Sequence, residues 1–133
     1  RLRAAVDVQN AGYIVGICLD PIILCDGWFD HYKTMLEKII ERLDMESVRF
    51  ISLGGFRYLP SLSKVIKERD PQTNILLSEF VPCVDGKHRY FRPIRVEAYK
   101  EIGTVIRELN KDVKISLCME TPEVWNSVKD VLK

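Results

Sequence analysis

Chemistry-bearing residues stand at four places where strand-like runs end: Asp20, Ser52 followed by Gly54-Gly55, Glu79, and Glu120. Parallel strands of an α/β fold bring their carboxyl ends to one rim, so these groups would line a site for a polar ligand. Glycines there let backbone approach a ligand closely. The competing reading of each acid is a cap on the helix that follows. A second constellation, Lys87, His88, Arg89, Tyr90, Phe91, Arg92 and Arg95, interleaves cations with rings, a mixture that grips phosphates and stacks on bases. Its competing reading is a solvated hairpin whose aromatic side packs on the next helix. Because adjacent strand residues face opposite ways, Tyr90 and Arg92 share one face and Arg89 and Phe91 the other. We expect Tyr90 and Arg92 toward the ligand and Phe91 on the long helix. Cys18, Cys25, Cys83 and Cys118 lack zinc-site spacing, and the sequence holds no nucleophile motif.

The elements that would position these groups read as alternating helices and strands. Arg1 to Asn10 has the pattern of an amphipathic helix ended by Gly12, and Ile14 to Leu19 is an apolar run typical of a strand covered on both faces. Pro21 is expected to stop that ladder and send the chain into a loop. Asp26 is expected to cap a helix with Tyr32, Leu36, Ile39, Ile40 and Leu43 inward. Val48 to Leu53 reads as the next strand, Ser61 as the cap of a short helix, and Asp70 to Asn74 as a turn. Ile75 to Val81 reads as a strand, and Asp85-Gly86 as a hairpin turn returning through His88 to Phe91. Arg92-Pro93 opens the longest helix, with Ala98, Ile102, Val105, Ile106 and Leu109 as its stripe. Val113 to Met119 is a last buried strand, before a helix capped by Thr121 and opened by Pro122, with Val124, Trp125 and Val128 inward. This order is that of an α/β fold, part of a barrel.

The 133 residues are one domain's worth of chain, 47% hydrophobic and 29% charged. Twenty basic against nineteen acidic residues leave a net charge of +1, so no global attraction to nucleic acid or membrane is implied. No run is long and apolar enough for a bilayer, and reduced, buried thiols in a cytoplasmic protein are expected. Arg1 is not a methionine and falls in mid-helix, which reads as a piece of a longer chain lacking earlier strands.

Several blocks together resemble the spore photoproduct lyase family of radical S-adenosylmethionine proteins. They are Arg1-Leu2-Arg3-Ala4-Ala5, Ala11-Gly12-Tyr13-Ile14-Val15-Gly16, Asp20-Pro21-Ile22 and Gly27-Trp28. Later blocks, Ile51-Ser52-Leu53-Gly54, Glu79-Phe80-Val81-Pro82, Asp85-Gly86-Lys87, Arg89-Tyr90-Phe91-Arg92-Pro93 and Cys118-Met119-Glu120-Thr121-Pro122, are similar to its lyase-related "DNA repair photolyase" subgroup. The resemblance implies the C-terminal half of a partial (β/α)6 barrel, TIM-like, with a hairpin-helix-strand extension. It also implies a [4Fe-4S] cluster and S-adenosylmethionine in the intact parent, whose 5′-deoxyadenosyl radical abstracts hydrogen. The cluster is not expected on this chain, whose cysteines lie 7, 58 and 35 positions apart, because the family holds it on a Cys-x-x-x-Cys-x-x-Cys loop. By this resemblance Asp20, Pro21, Ser52, Gly54 and Gly55 bind the cofactor, while Arg57, Glu79, Arg89, Tyr90, Arg92 and Glu120 face the substrate, DNA or another nucleic acid. The missing N-terminal half is a further expected partner, and open sheet edges are expected to favour self-association. Two alternatives from the residues alone are a non-catalytic nucleic-acid-binding module using the hairpin, and another barrel enzyme using Gly54-Gly55 as a phosphate cradle.

Overall fold

In the computed structural model, which describes residues 1–133, apolar alternation places three strands side by side and helical stripes cover one of their faces. The order is α1 (Leu2–Asn10), β1 (Val15–Ile22), α2 (Trp28–Arg42), β2 (Val48–Gly55), β3 (Arg57–Tyr58), α3 (Pro60–Arg69), β4 (Phe80–Pro82), β5 (His88–Tyr90), α4 (Arg92–Leu109), β6 (Ile115–Leu117) and α5 (Pro122–Leu132). Strands β1, β2 and β6 form a parallel sheet in the order β1-β2-β6. Strands β3, β5 and β4 form a small antiparallel sheet with β5 in the middle. The protein is therefore mixed α/β with a parallel sheet, as expected. No helix is long and apolar enough to cross a membrane.

The core lies between the parallel sheet and α2, α4 and α5. Leu19, Ile51, Leu53 and Ile115 meet Leu36 and Ile39 of α2, Ile102, Val105 and Ile106 of α4, and Val124 and Val128 of α5. The inward positions expected on α2, α4 and α5 are largely these, although Leu109 is exposed. Only one face of β1 is covered: Val15, Ile17 and Leu19 turn toward the helices, while Gly16 and Cys18 are exposed. The expectation of cover on both faces fails because glycine and cysteine extend an apolar run without demanding burial. Nor are the thiols buried, since Cys18 and Cys25 are exposed and Cys83 and Cys118 half-buried.

Other local expectations are corrected. β1 does not stop at Pro21: pairing with β2 runs to Leu19↔Leu53 and resumes at Ile22↔Gly55. Asp20 and Pro21 thus oppose Gly54 alone, a bulge at which a proline without an N–H is tolerated. Helix α2 is entered through Gly27 in the left-handed conformation at φ 71°, with no side-chain cap from Asp26. Helix α3 starts at Pro60, one residue before the expected cap Ser61, and Thr121 precedes α5 without a side-chain cap bond. The run from Ile75 is a strand only at Phe80–Pro82, since Leu77 N–H turns back to the Asn74 carbonyl and the Leu77 side chain is exposed. The hairpin is as expected, with Gly86 at φ 76° in its turn and Pro82 paired with His88.

Candidate ligand site at the carboxyl rim

The uncovered face of the parallel sheet is lined by small and polar side chains. Registers Cys18↔Ser52 and Ser52↔Ser116 set three such residues in a row across β1, β2 and β6. Above this row, at the carboxyl ends, stands Asp20. Its carboxylate lies over Gly54, where an added Cβ would come within 2.7 Å of the Asp20 Cγ, so only glycine admits this approach. Both carboxylate oxygens accept from Arg57: Nη1 to Oδ1 at 2.9 Å and Nη2 to Oδ2 at 3.0 Å. Arg57 Nη1 also donates to the Gly55 carbonyl at 3.4 Å, and Nη2 reaches the sulfurs of Met119 at 3.2 Å and Cys118 at 3.8 Å. The bidentate bond from Arg57 holds the Asp20 carboxyl below its ordinary range. The Asp20 carboxylate in turn raises the Cys118 thiol, which stays protonated at neutral pH.

Beneath the rim is a buried polar network. Arg95 Nε lies 2.9 Å from Glu120 Oε1, with both side chains at most 6% exposed. Tyr99 donates to the same oxygen at 2.7 Å and accepts the Gly55 N–H at 2.8 Å, while Arg95 Nη1 donates to the Tyr90 carbonyl. Burial, then the neighbouring Glu120 charge, pushes the Tyr99 phenol far above its usual range. Four segments meet at this point: the end of β2, the end of β5, the start of α4 and the end of β6. Glu120, expected to face substrate, is instead committed to this clamp. Sequence reading missed Tyr99, although Arg95 and Tyr99 fall on the same α4 stripe as Ala98 and Ile102, a polar pair on an apolar face.

The hairpin reverses the expected facing of its two rings and keeps Arg92 outward as expected. The Tyr90 ring is 1% exposed, stacks on Phe80 with centroids 4.6 Å apart, and its hydroxyl accepts the Leu24 N–H at 3.1 Å. Phe91 is 45% exposed at the entrance to α4, so it is the available ring and Tyr90 the packed one. Arg89 is buried and paired with Asp85 through contacts of 2.6 and 2.7 Å, which leaves its charge neutralised. Arg92 is exposed at the first position of α4. Glu79 is exposed just before β4, where its carbonyl accepts the Phe91 N–H; it does not end a strand of the parallel sheet. Asp20, Pro21 and Arg57 thus meet at the rim beside Gly54, Gly55 and Ser52, while Glu79, Arg89 and Tyr90 are placed elsewhere in the hairpin layer.

No three histidine, cysteine, aspartate or glutamate side chains gather to hold a metal. The four thiols therefore do not fit an iron-sulfur cluster, which needs several thiolates converging on one point. The rim does fit a ligand bearing hydroxyl donors, because each Asp20 oxygen accepts one Arg57 N–H and keeps further acceptor capacity.

A parallel α/β sheet with polar groups collected at its carboxyl rim defines the class of protein. The spore photoproduct lyase family model matches residues 1–111, and the chain belongs to that family. The spore photoproduct lyase of Bacillus subtilis (strain 168) is 32% identical over 81 residues, covering 59% of this chain and 24% of that protein. A solved spore photoproduct lyase mutant with dinucleoside spore photoproduct superposes with TM-score 0.77 at 23% identity, covering 89% of this chain and 38% of that one. Another mutant, with bound AdoMet and dinucleoside spore photoproduct, gives 0.70 at 21%, covering 88% and 36%. The chain thus spans about a quarter of the curated relative and under two fifths of the solved chains.

Proposed function

We propose that the chain forms the C-terminal part of a radical S-adenosylmethionine enzyme resembling spore photoproduct lyase, acting on a lesion in DNA. The observation that carries this reading is the polar open face ending at Asp20 and Arg57, together with family membership. In the intact barrel, a partial (β/α)6 arrangement, this face would turn inward and the rim would meet the ligands.

S-adenosylmethionine supplies the 5′-deoxyadenosyl radical when it is bound and reduced, and the cluster that reduces it would be held by residues outside this chain. Here Asp20 would accept from the ribose hydroxyls, Ser52 would offer its hydroxyl from the open face, and Gly54 would keep the floor low. Pro21 and Gly55 fix the bulge on which Asp20 stands. Arg57 holds Asp20 in place and carries the positive charge nearest the rim. On the substrate side, Phe91 and Arg92 are the exposed ring and cation where the hairpin joins α4. A hairpin acting alone as a nucleic-acid binder is disfavoured by the Asp85 pairing of Arg89.

The test is an anaerobic assay of the protein encoded through and upstream of Arg1, with a lesion-bearing dinucleotide and S-adenosylmethionine. Cleavage to 5′-deoxyadenosine that falls about tenfold or more in Asp20→Ala, with the cluster intact, is expected. Absence of a Cys-x-x-x-Cys-x-x-Cys stretch upstream, or full activity in Asp20→Ala, would reject the reading or the Asp20 assignment respectively.

A further inference from the structure

Asp20 and Pro21 lie outside the ladder that orders the rest of β1. Pairing with β2 skips them between Leu19↔Leu53 and Ile22↔Gly55, and proline supplies no N–H, so groups outside the parallel sheet must hold this stretch. Two phenols do so. The Tyr32 hydroxyl, carried by α2, accepts the Ile23 N–H at 3.0 Å and donates to the Pro21 carbonyl at 3.4 Å, closing the exit of the bulge with one oxygen. One residue farther on, the Tyr90 hydroxyl of β5 accepts the Leu24 N–H at 3.1 Å. Burial raises both phenols above their ordinary range, so each keeps its proton. The Tyr32 ring is half-buried and edge-on to Trp28, with centroids 6.2 Å apart. Water could satisfy the same backbone groups, but only a hydroxyl on a packed ring also fixes where they stand.

We propose that Tyr32 is a positioning residue for Asp20, with Tyr90 as a second tether: the two phenols set the height at which the bulge presents its carboxylate to Arg57 and to a ligand over Gly54. The proposal rests on the reading of Asp20 as a ligand contact and adds to it what keeps that contact in place. The fork from Arg57 leaves little room for error. Its arms are 2.9 and 3.0 Å long, so a displacement of about 0.5 Å takes one of them to the limit of a hydrogen bond. Arg57, the Cys118 thiol and Lys87 are the charged and titratable groups around Asp20. Tyr32 is uncharged, and its hydroxyl acts on the carboxylate through the backbone that joins them.

Carboxyl nuclear magnetic resonance of the 133-residue chain follows the Asp20 titration directly. Tyr32→Phe, which keeps the ring and deletes the hydroxyl, should move the Asp20 midpoint up toward the ordinary carboxylate range while amide exchange at Ile23 quickens. Tyr90→Phe should move the midpoint the same way, and Tyr13→Phe, at an exposed position, should leave it where it is. In the protein encoded through and upstream of Arg1, calorimetry should find S-adenosylmethionine bound about fivefold more weakly by Tyr32→Phe, the worth of one hydrogen bond. Added to Asp20→Ala, the same change should cost nothing further, because it acts through Asp20. A wild-type Asp20 midpoint in the folded phenylalanine variants, or an equal loss of affinity with and without Asp20, would overturn the positioning role and leave the Asp20 assignment standing. Wild-type affinity in Asp20→Ala would overturn that assignment, and the Asp20 midpoint would still decide the role of Tyr32.

Discussion

Asp20 and Arg57 show how a side chain's partner decides its role. The pair is partly solvated, with 22% and 16% of the side chains exposed, so its worth is that of a good surface pair, about 1 kcal/mol. Because Arg57 lowers the folded-state Asp20 pKa, this contribution is fully present above the unfolded value and disappears as pH falls through the folded one. Urea melts should therefore show Asp20→Asn about 1 kcal/mol less stable at pH 7, with the gap closing as pH falls below the ordinary carboxylate range. A gap of the same size at both pH values would refute the pairing. At the hairpin, Tyr90→Ala should cost about 3–5 kcal/mol, the loss of a packed ring, whereas Phe91→Ala should stay within about 0.5 kcal/mol. Equal melting temperatures for the two variants would contradict the facing described here. Alternation along β5 separated these two rings correctly in the sequence, but which side faced the protein depended on Phe80 and Leu24, residues no local pattern connects to Tyr90.

Elements with strong local signals were legible: the stripes of α2 and α4, the Asp-Gly turn and the parallel strand-helix order follow from periodicity and turn chemistry. Interactions spanning many residues were not. Arg57 meets Asp20 across 37 positions and Tyr99 meets Gly55 across 44, and neither distance leaves a trace in spacing. The Arg89–Asp85 pair had a visible signal, since a salt bridge four positions apart can close across a short turn. The clamp formed by Arg95, Tyr99 and Glu120 ties β2, β5, α4 and β6 together, so its loss should be felt by all four. Glu120→Gln would leave Arg95 buried without a counter-charge, at about 3–5 kcal/mol in chemical denaturation. A cost below 1 kcal/mol would mean that water already reaches the pair. Where α4 crosses α5, Gly103→Ala should cost about 1–3 kcal/mol, because the new methyl group would run into Leu132 and Val131.

For the whole molecule, the order β1-β2-β6 leaves one edge of β1 and one edge of β6 without a strand partner. Unpaired parallel edges invite association, and light scattering should show a mass that grows with concentration. A constant monomer mass through the millimolar range would argue that the edges are protected. Anaerobic iron and sulfide treatment of the 133-residue chain should yield no stoichiometric [4Fe-4S] spectrum, since its thiols do not converge. The open face has a further property. Phe50 lies across Gly16, so near that an added Cβ would sit 2.6 Å from the ring. Toward the amino ends of the strands an aromatic ring therefore occupies the face, and toward the carboxyl ends small and polar groups do. A molecule that enters over Asp20 meets thiol and hydroxyl groups as far as the Cys18–Ser52 row and then the flat of a phenyl ring.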